Sequence, residues 1–472
     1  MSESNNVSLR IEPEITFGVT PASPSFQNLK YRSSSLKYEP QTVLSDEITG
    51  DDQITDNTLV GYSVSGDVQA RLTFGALDDL IAANLYSSWV TRANTVPTAV
   101  AAGSYTTTSF ANHPVASLVY GSGFANAANN GVKEVTTSAA NAVSAAGLVL
   151  EASPPAGAKI QFVGVAGGSG AIAAVAGGLT GVPTIAALVA GDWIKIGGSA
   201  VGNKFATAAC NGYARVSSVS GTTVNFDVFP DGWTTDAGTG KTIWIFVSER
   251  IRNGNTRTSY TVELEYLLDG GSYLYEYFAG CVFGQWAMRM QPRQNIEVSF
   301  EVMGLTATSM SNTRFASATT VDAPASALLN TSSNIGRIRL GATTMTGASS
   351  VTKADLMVDR NLREREGVGS QASIDIRKGR CNVKVELSAY FTSETLLNAV
   401  RTDTETSYDS LIRNAARTQA YVIDVPRGKY STGTTDTGAI DTDVTVDLTF
   451  QGLQHPTLGY TIQVARFIQV QE

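Results

Sequence analysis

The chain has 472 residues, 43% of them apolar and only 16% charged, so it is neither a disordered acidic tail nor too short to build real cores. Its net charge of −8 disfavours a protein that wraps or reads DNA, because such a surface must be basic to displace counterions. Three widely spaced cysteines, Cys210, Cys281 and Cys381, do not make a disulfide framework and suit a reducing cytoplasm.

The N-terminal stretch Met-Ser-Glu-Ser-Asn-Asn lacks the basic-then-apolar form of a signal peptide, so any role outside the cell is expected to follow lysis. Residues 1–13 are polar and are expected to form an arm. Leu36-Lys-Tyr-Glu39 starts a short strand, and 44–59 is a long acidic, aperiodic loop carrying Asp46, Glu47, Asp51 and Asp52. Loops this long usually contact something, so it is read as an arm toward a neighbouring subunit rather than a solvated excursion. Val60 to Phe74 supplies strands, and Leu77, Leu80, Ile81 and Leu85 recur at helical spacing.

From about 92 to 247 the composition shifts to Ala, Gly, Ser and Thr with few charges. The most apolar part, 164–190, is broken by glycines and Pro183 and does not reach membrane-spanning length. This insertion reads as doubled: Tyr120-Gly-Ser-Gly-Phe124 onward parallels Ile196-Gly-Gly-Ser199 onward. Short strands are predicted at 191–196, 213–219, 223–228 and 242–246, with turns at Asn211-Gly212 and Ser220-Gly221. One or two small β-barrels or sandwiches fit, serving as outer decoration. Strands resume at 258–266, 273–278 and 281–290, and the Ser/Thr/Ala-rich segment 306–335 is expected to be a linker.

Asn295 to Leu305 alternates polar and apolar and ends at Gly304-Leu305; Asp443 to Leu453 repeats the pattern and ends at Gly452-Leu453. Period two means strands burying Ile296, Val298, Phe300 and Val302, or Val444, Val446, Leu448 and Phe450. A second pair, Gly66 to Phe74 and Gly379 to Leu387, each followed by a short helix with acidic residues near its start, makes the chain a duplicated β-module. The expected layout is 1–91 and 248–305 as module one, 92–247 inserted, 306–335 a linker and 336–472 module two. Module two has its own long loop after Arg360, with Arg363 and Arg365, which suggests complementarity with the acidic loop. A second amphipathic helix is predicted over Tyr408 to Ala420.

Catalytic patterns are lacking. His113 and His455 are the only histidines and lie far apart; no metal-ligand cluster, phosphate loop or Gly-x-Ser-x-Gly elbow occurs. The pairs Asp78-Asp79 and Asp51-Asp52 read as solvated carboxylates rather than calcium ligands. Glu297 and Glu301 share a strand face, as a glycosidase pair would, but same-face acids on an exposed strand are ordinarily surface. The reading is therefore no enzyme, no cofactor and no metal.

Taken together, Phe17-Gly-Val-Thr-Pro21, Gly66 to Phe74, Tyr277-Phe-Ala-Gly-Cys281, Gln285-Trp-Ala-Met288, Val298-x-Phe-x-Val-x-Gly304, Ala420 to Arg427 and Asp441 to Phe450 resemble the major tail tube protein of long-tailed bacteriophages, in its duplicated-module form. The resemblance implies a mainly β chain of two tandem β-sandwich modules, each with a flanking helix, plus inserted small β-domains. It implies trimeric, pseudo-hexameric rings that stack into a hollow tube assembled in the host bacterial cytoplasm. The implied partners are a tape measure protein in the lumen, tail terminator and baseplate or tip proteins, and DNA in transit without specific binding. Glu297, Glu301, Asp443 and Asp447 are the expected lumen-facing acids, because a bore for DNA should not carry phosphate-binding cations. Asp46, Glu47, Asp51, Asp52, Arg360, Arg363 and Arg365 are the expected contacts between rings. The alternatives are another virion β-protein, such as a baseplate or capsid-decoration protein, and an extracellular carbohydrate-binding protein.

Overall fold

The alternation in Glu297–Gly304 does what its period requires: Val298, Phe300 and Val302 are buried, while Glu297, Ser299 and Glu301 line the opposite, wetter face. The computed structural model describes residues 4–48, 50, 53–111, 113–345, 351–391, 394–437 and 440–472. Eight of its strands form one continuous antiparallel path. In chain order they are β1 (Lys37–Leu44), β2 (Asn57–Arg71), β3 (Tyr273–Met290), β4 (Glu297–Gly304), β5 (Val351–Asp359), β6 (Asn382–Tyr390), β7 (Ala420–Asp436) and β8 (Thr445–Gly452). Their order in space is β1-β2-β4-β3-β5-β6-β8-β7.

That order is one four-strand pattern used twice, with β5, β6, β7 and β8 repeating β1, β2, β3 and β4. The register agrees. Phe300 faces Trp286 and its counterpart Leu448 faces Gly433; Met303 faces Val282 and its counterpart Gln451 faces Lys429. Both β3–β4 and β7–β8 carry a bulge at the same place, after Phe283 and after Tyr430. A shared irregularity is a stronger mark of duplication than shared alternation, since any half-buried strand alternates.

β3 and β7 are long because each serves two sheets. The first half of β3 pairs with Tyr260–Leu267, which pairs with Val7–Pro13; the first half of β7 pairs with Thr406–Arg413, which pairs with Ile335–Leu340. β3 turns between its sheets at Gly280, whose φ of +69° favours glycine and where an added Cβ would meet Leu305. Each repeat is therefore a β-sandwich, and one apolar core runs through both, with Trp286, Phe283, Phe300, Tyr408 and Phe450 among its largest members. Helix α1 (Asp78–Leu85) buries Leu80, Ile81 and Leu85 in this core; α2 (Thr395–Arg401) packs Val400 on Gly433 of β7.

The insertion leaves the first sandwich after α1 and returns through Glu249–Arg252. It holds two small β-units with separate cores, one around Val100, Tyr105 and Ile160 and one around Ile194, Phe205 and Ile245. The units repeat a hydrogen-bond device. Asn130 Oδ1 accepts from Phe124 N at 3.0 Å while its amide donates to Phe124 O at 2.8 Å; Asn211 does the same with Phe205 at 3.0 and 3.1 Å. Carboxylates at Glu151 and Asp236 accept the N–H groups of the adjoining loops, from Ala125 and Thr207 respectively. Asn211 thus braces a loop instead of forming the turn expected of Asn211-Gly212, while Gly212 opens a strand.

Several expectations are corrected. The segment Tyr408–Ala420 is not a helix but the Thr406–Arg413 strand, a turn and the start of β7. Tyr408, Asp409, Ser410, Leu411 and Ile412 are all buried, because the core covers one face and the insertion the other, and a strand covered on both faces shows no alternation. Gly379 is not the counterpart of Gly66: Glu301 faces Asp67 while its counterpart Thr449 faces Glu386, which slides the true match by six positions. Residues 7–13 are a paired strand with Leu9 and Ile11 buried, not an arm. The segment 306–335 is not a free linker, since Thr319–Val321 pairs with Ser25–Asn28 and Leu329 is buried.

The insertion also packs onto the second sandwich rather than standing apart from it. Leu118, Val163, Trp193, Tyr213 and Phe246 pack against Leu411, Val422, Ala465, Phe467 and Val470 of the second sandwich. Its Arg215 pairs with the buried Asp424 of β7.

Candidate functional site

The eight-strand sheet turns one face to the sandwich cores and leaves the other polar. On that polar face the register places side chains in rows across the strands. One row runs Arg71, Glu297, Arg289, Asp355, Glu386, Thr449. A second, further toward the β1–β2 loop, contains Asp67, Glu301, Gln285 and Asp359. A third runs Lys353, Ser388, Asp447, Thr434.

Glu297, Glu301 and Asp447 therefore share one continuous face. Asp443 does not: it precedes β8, and Val444, expected to be buried, is 38% exposed beside it. The alternation before Thr445 runs past the last residue of the strand, although Val444 O still accepts from Phe391 N at 3.0 Å.

The face is not uniformly acidic. Arg32 donates to Glu297 Oε1 at 2.7 Å, and Arg71 and Arg289 flank Glu297 on the neighbouring strands. Lys353 lies 2.8 Å from Glu386 and 3.5 Å from Asp355. The Asp67–Glu301–Asp359 row is where negative charge concentrates. Burial, and then the nearby Asp359 and Asp67, raise the Glu301 carboxyl above its ordinary range. Sequence reading missed Arg71, Arg289, Asp67, Asp355 and Asp359. Their odd or even position within each strand was the available signal, but the register that lines them up depends on pairing.

The loop candidates divide in the same way. Asp46 and Glu47 are exposed at the tip of the β1–β2 hairpin, alongside the exposed apolar Val43, Leu44 and Ile48. Asp51 and Asp52 lie outside the described residues. Arg363 and Arg365 are exposed on a small hairpin in which Arg363–Arg365 pairs with Asp375–Arg377. Arg360 is a correction: it is only 2% exposed, and its guanidinium donates to the carbonyls of Asn84 (2.8 Å), Leu85 and Gly254 (3.0 Å) and lies over the Tyr86 ring. It satisfies the C-terminal carbonyls of α1 and ties the two repeats together, so it is not available to another chain.

The two histidines are both held by local contacts. His113 is buried beside Thr95 Oγ1, and burial lowers its pKa to about 4; the ring of His455 accepts backbone N–H groups from Thr457 and Leu458 in a tight turn. Among the described residues no group of three or more His, Cys, Asp and Glu is arranged to hold a metal ion, and no helix is long and apolar enough to cross a membrane.

A family model described as phage tail tube protein matches the chain twice in tandem, over residues 4–212 and 211–452. The chain belongs to the phage tail tube protein family. Two matches in one chain agree in number with the doubled four-strand pattern, although they meet inside the insertion and place β3 and β4 in the second match. Membership makes this tail tube protein a structural component of the virion tail, one that self-assembles and associates with other tail proteins. No curated protein matches the chain.

Proposed function

We propose that this tail tube protein forms closed rings that stack into the hollow tube through which genomic DNA leaves the particle. The observation that carries the reading is the doubled sheet with one open edge at each end. Among the described residues β1 pairs only with β2, and the second half of β7 pairs only with β8. Such edges demand a partner, and closing the sheet on further copies of itself removes them. Three chains would bring six four-strand repeats into one ring, and a barrel that wide leaves an open channel.

In this reading the polar face lines the bore. Glu301 with Asp67 and Asp359 forms a level that repels phosphate, and Glu297 and Asp447 sit at levels where charges are paired or diluted by hydroxyls. Fixed cations already held by carboxylates offer DNA little purchase. The β1–β2 hairpin with Asp46 and Glu47 and the equivalent β5–β6 hairpin with Arg363 and Arg365 leave the sheet at the same end, where Tyr62 N donates to Gln371 O at 3.0 Å, so both reach toward the opposite end of the next ring rather than toward each other. Residues 1–91 with 248–305 act as one tube module and 336–472 as the other. A tape measure protein occupies the lumen during assembly in the host cytoplasm, and tail terminator and baseplate or tip proteins cap the ends.

The test is direct. Purified protein, concentrated and viewed by negative-stain electron microscopy, should form hollow rods with a stain-filled axis. Monomers or solid aggregates at every concentration and salt would contradict the proposal.

A further inference from the structure

The joint between the two repeats inside one chain is a template for the joint between chains. Where β3 meets β5, Gln285 faces Asp359, Trp286 faces Val358, Ala287 faces Met357 and Arg289 faces Asp355, in antiparallel register. The same strands recur with free edges. Trp286 corresponds to Gly433, since both face the same position of the following strand, Phe300 and Leu448. Met357 corresponds to Lys37: each lies opposite the residue, Lys384 or Ser65, that itself faces Gln451 or Met303.

We infer that β7 of one copy pairs with β1 of a second copy in the register Thr432 opposite Glu39, Gly433 opposite Tyr38, Thr434 opposite Lys37. This rests on the tube reading and adds to it which residues meet.

Two independent features agree with that register. The first is size. Inside the chain the row Phe300–Trp286–Val358 puts the bulk on β3, and all three residues are buried. Between chains the corresponding row is Leu448–Gly433–Tyr38, with nothing on β7 and an aromatic ring on β1. Tyr38 is 39% exposed and lies tilted against Tyr62 with ring centroids 4.8 Å apart. Large against small on one joint becomes small against large on the other, which conserves volume across the seam.

The second is the helices. α1 is roofed over by the second repeat: Asn84 donates to Val358 O, Arg360 caps its carbonyls, and Tyr421 bonds Asp78. Its apolar residues are sealed. The corresponding α2 leaves Leu397, Ala399 and Val400 half-buried, with Val400 directly on Gly433. A second copy seated in this register carries Tyr38, the counterpart of Val358, to that uncovered place. It also brings Lys37 into line with Thr434 and Asp447 on the polar face, cation toward carboxylate.

The experiment is a pair of cysteines in a Cys381→Ser background. Opposed Cβ atoms in an antiparallel pair lie about 4.5–5.5 Å apart, and a strand shift of up to roughly 1 Å brings them into disulfide range. The Thr434→Cys, Lys37→Cys double variant should form rods and, on mild oxidation, give a ladder of covalently joined chains. Thr434→Cys with Gln41→Cys, four positions out of register, should form rods without the ladder. As a check that needs no oxidation, Tyr38→Gly should raise the concentration needed for rod formation at least tenfold, and Tyr38→Phe should leave it unchanged. Rods with no 434–37 crosslink, or with an equal 434–41 crosslink, overturn the register while leaving the tube intact; no rods from the unmodified protein count against both.

Discussion

Arg215 of the insertion reaches Asp424 of β7 at 2.6 Å, with the two side chains 4% and 0% exposed. Asp227 holds the other side of the guanidinium at 2.9 and 3.1 Å, and Tyr460 donates to the second Asp424 oxygen at 3.2 Å. Burial alone lowers the Arg215 pKa, but the carboxylates of Asp424 and Asp227 more than reverse it, so the guanidinium stays charged. This pair joins the insertion to the second sandwich.

Removing one partner leaves a charge in the seam. Asp424→Ala is expected to cost about 3–5 kcal/mol, read as a fall in the denaturation midpoint, while Arg215→Met with Asp424→Leu recovers most of that loss. Excising 92–247 should fail to give folded protein, because Leu411, Val422, Phe467 and Val470 would face water. A stable truncated chain with native circular dichroism would show that the seam is dispensable.

Arg360 and the arginines after it should behave differently. Arg360→Met leaves the carbonyls of Asn84, Leu85 and Gly254 without their donor in a buried place, and at about 1–3 kcal/mol for an unsatisfied group the fold should weaken measurably in urea. Arg363→Glu with Arg365→Glu, both exposed, should leave the unfolding free energy in urea within about 0.5 kcal/mol of the original and shorten the rods. Equal effects on both measurements from both variants would contradict the division of labour.

Glu301 gives a pH signature. Its carboxyl is raised by burial and by Asp359 and Asp67, so the fold favours the protonated form. Its share of stability is complete below the unfolded carboxylate value, about 4.3, and is lost as pH rises through the elevated folded value. Glu301→Gln should therefore raise the melting temperature at pH 7, on the order of 1 °C for a partly exposed group in a chain this long. That gain should vanish toward pH 4. A gain that grows on acidification would have the wrong sign.

The strand content, both helix sites, the duplication and the doubled insertion were legible in residue order, because each depends on local periodicity. Val298, Phe300, Val446, Leu448 and Phe450 are buried for the reason their spacing indicates. Where both faces of a strand are covered, as at Tyr408 to Ile412, the period disappears and a helix was the natural misreading. Where alternation runs past the end of the strand, as at Asp443 and Val444, the pattern overstates its length.

Residue order alone indicated a duplicated β-module whose amphipathic strands carry acids on their wet face. Only the tertiary structure decided which residues stand side by side on that face, that Arg360 is spent inside the molecule, and that the insertion is packed onto the second sandwich. Alternation is set by neighbours along the chain, whereas register and burial are set by whichever strand or domain happens to lie against it, and those partners come from hundreds of residues away.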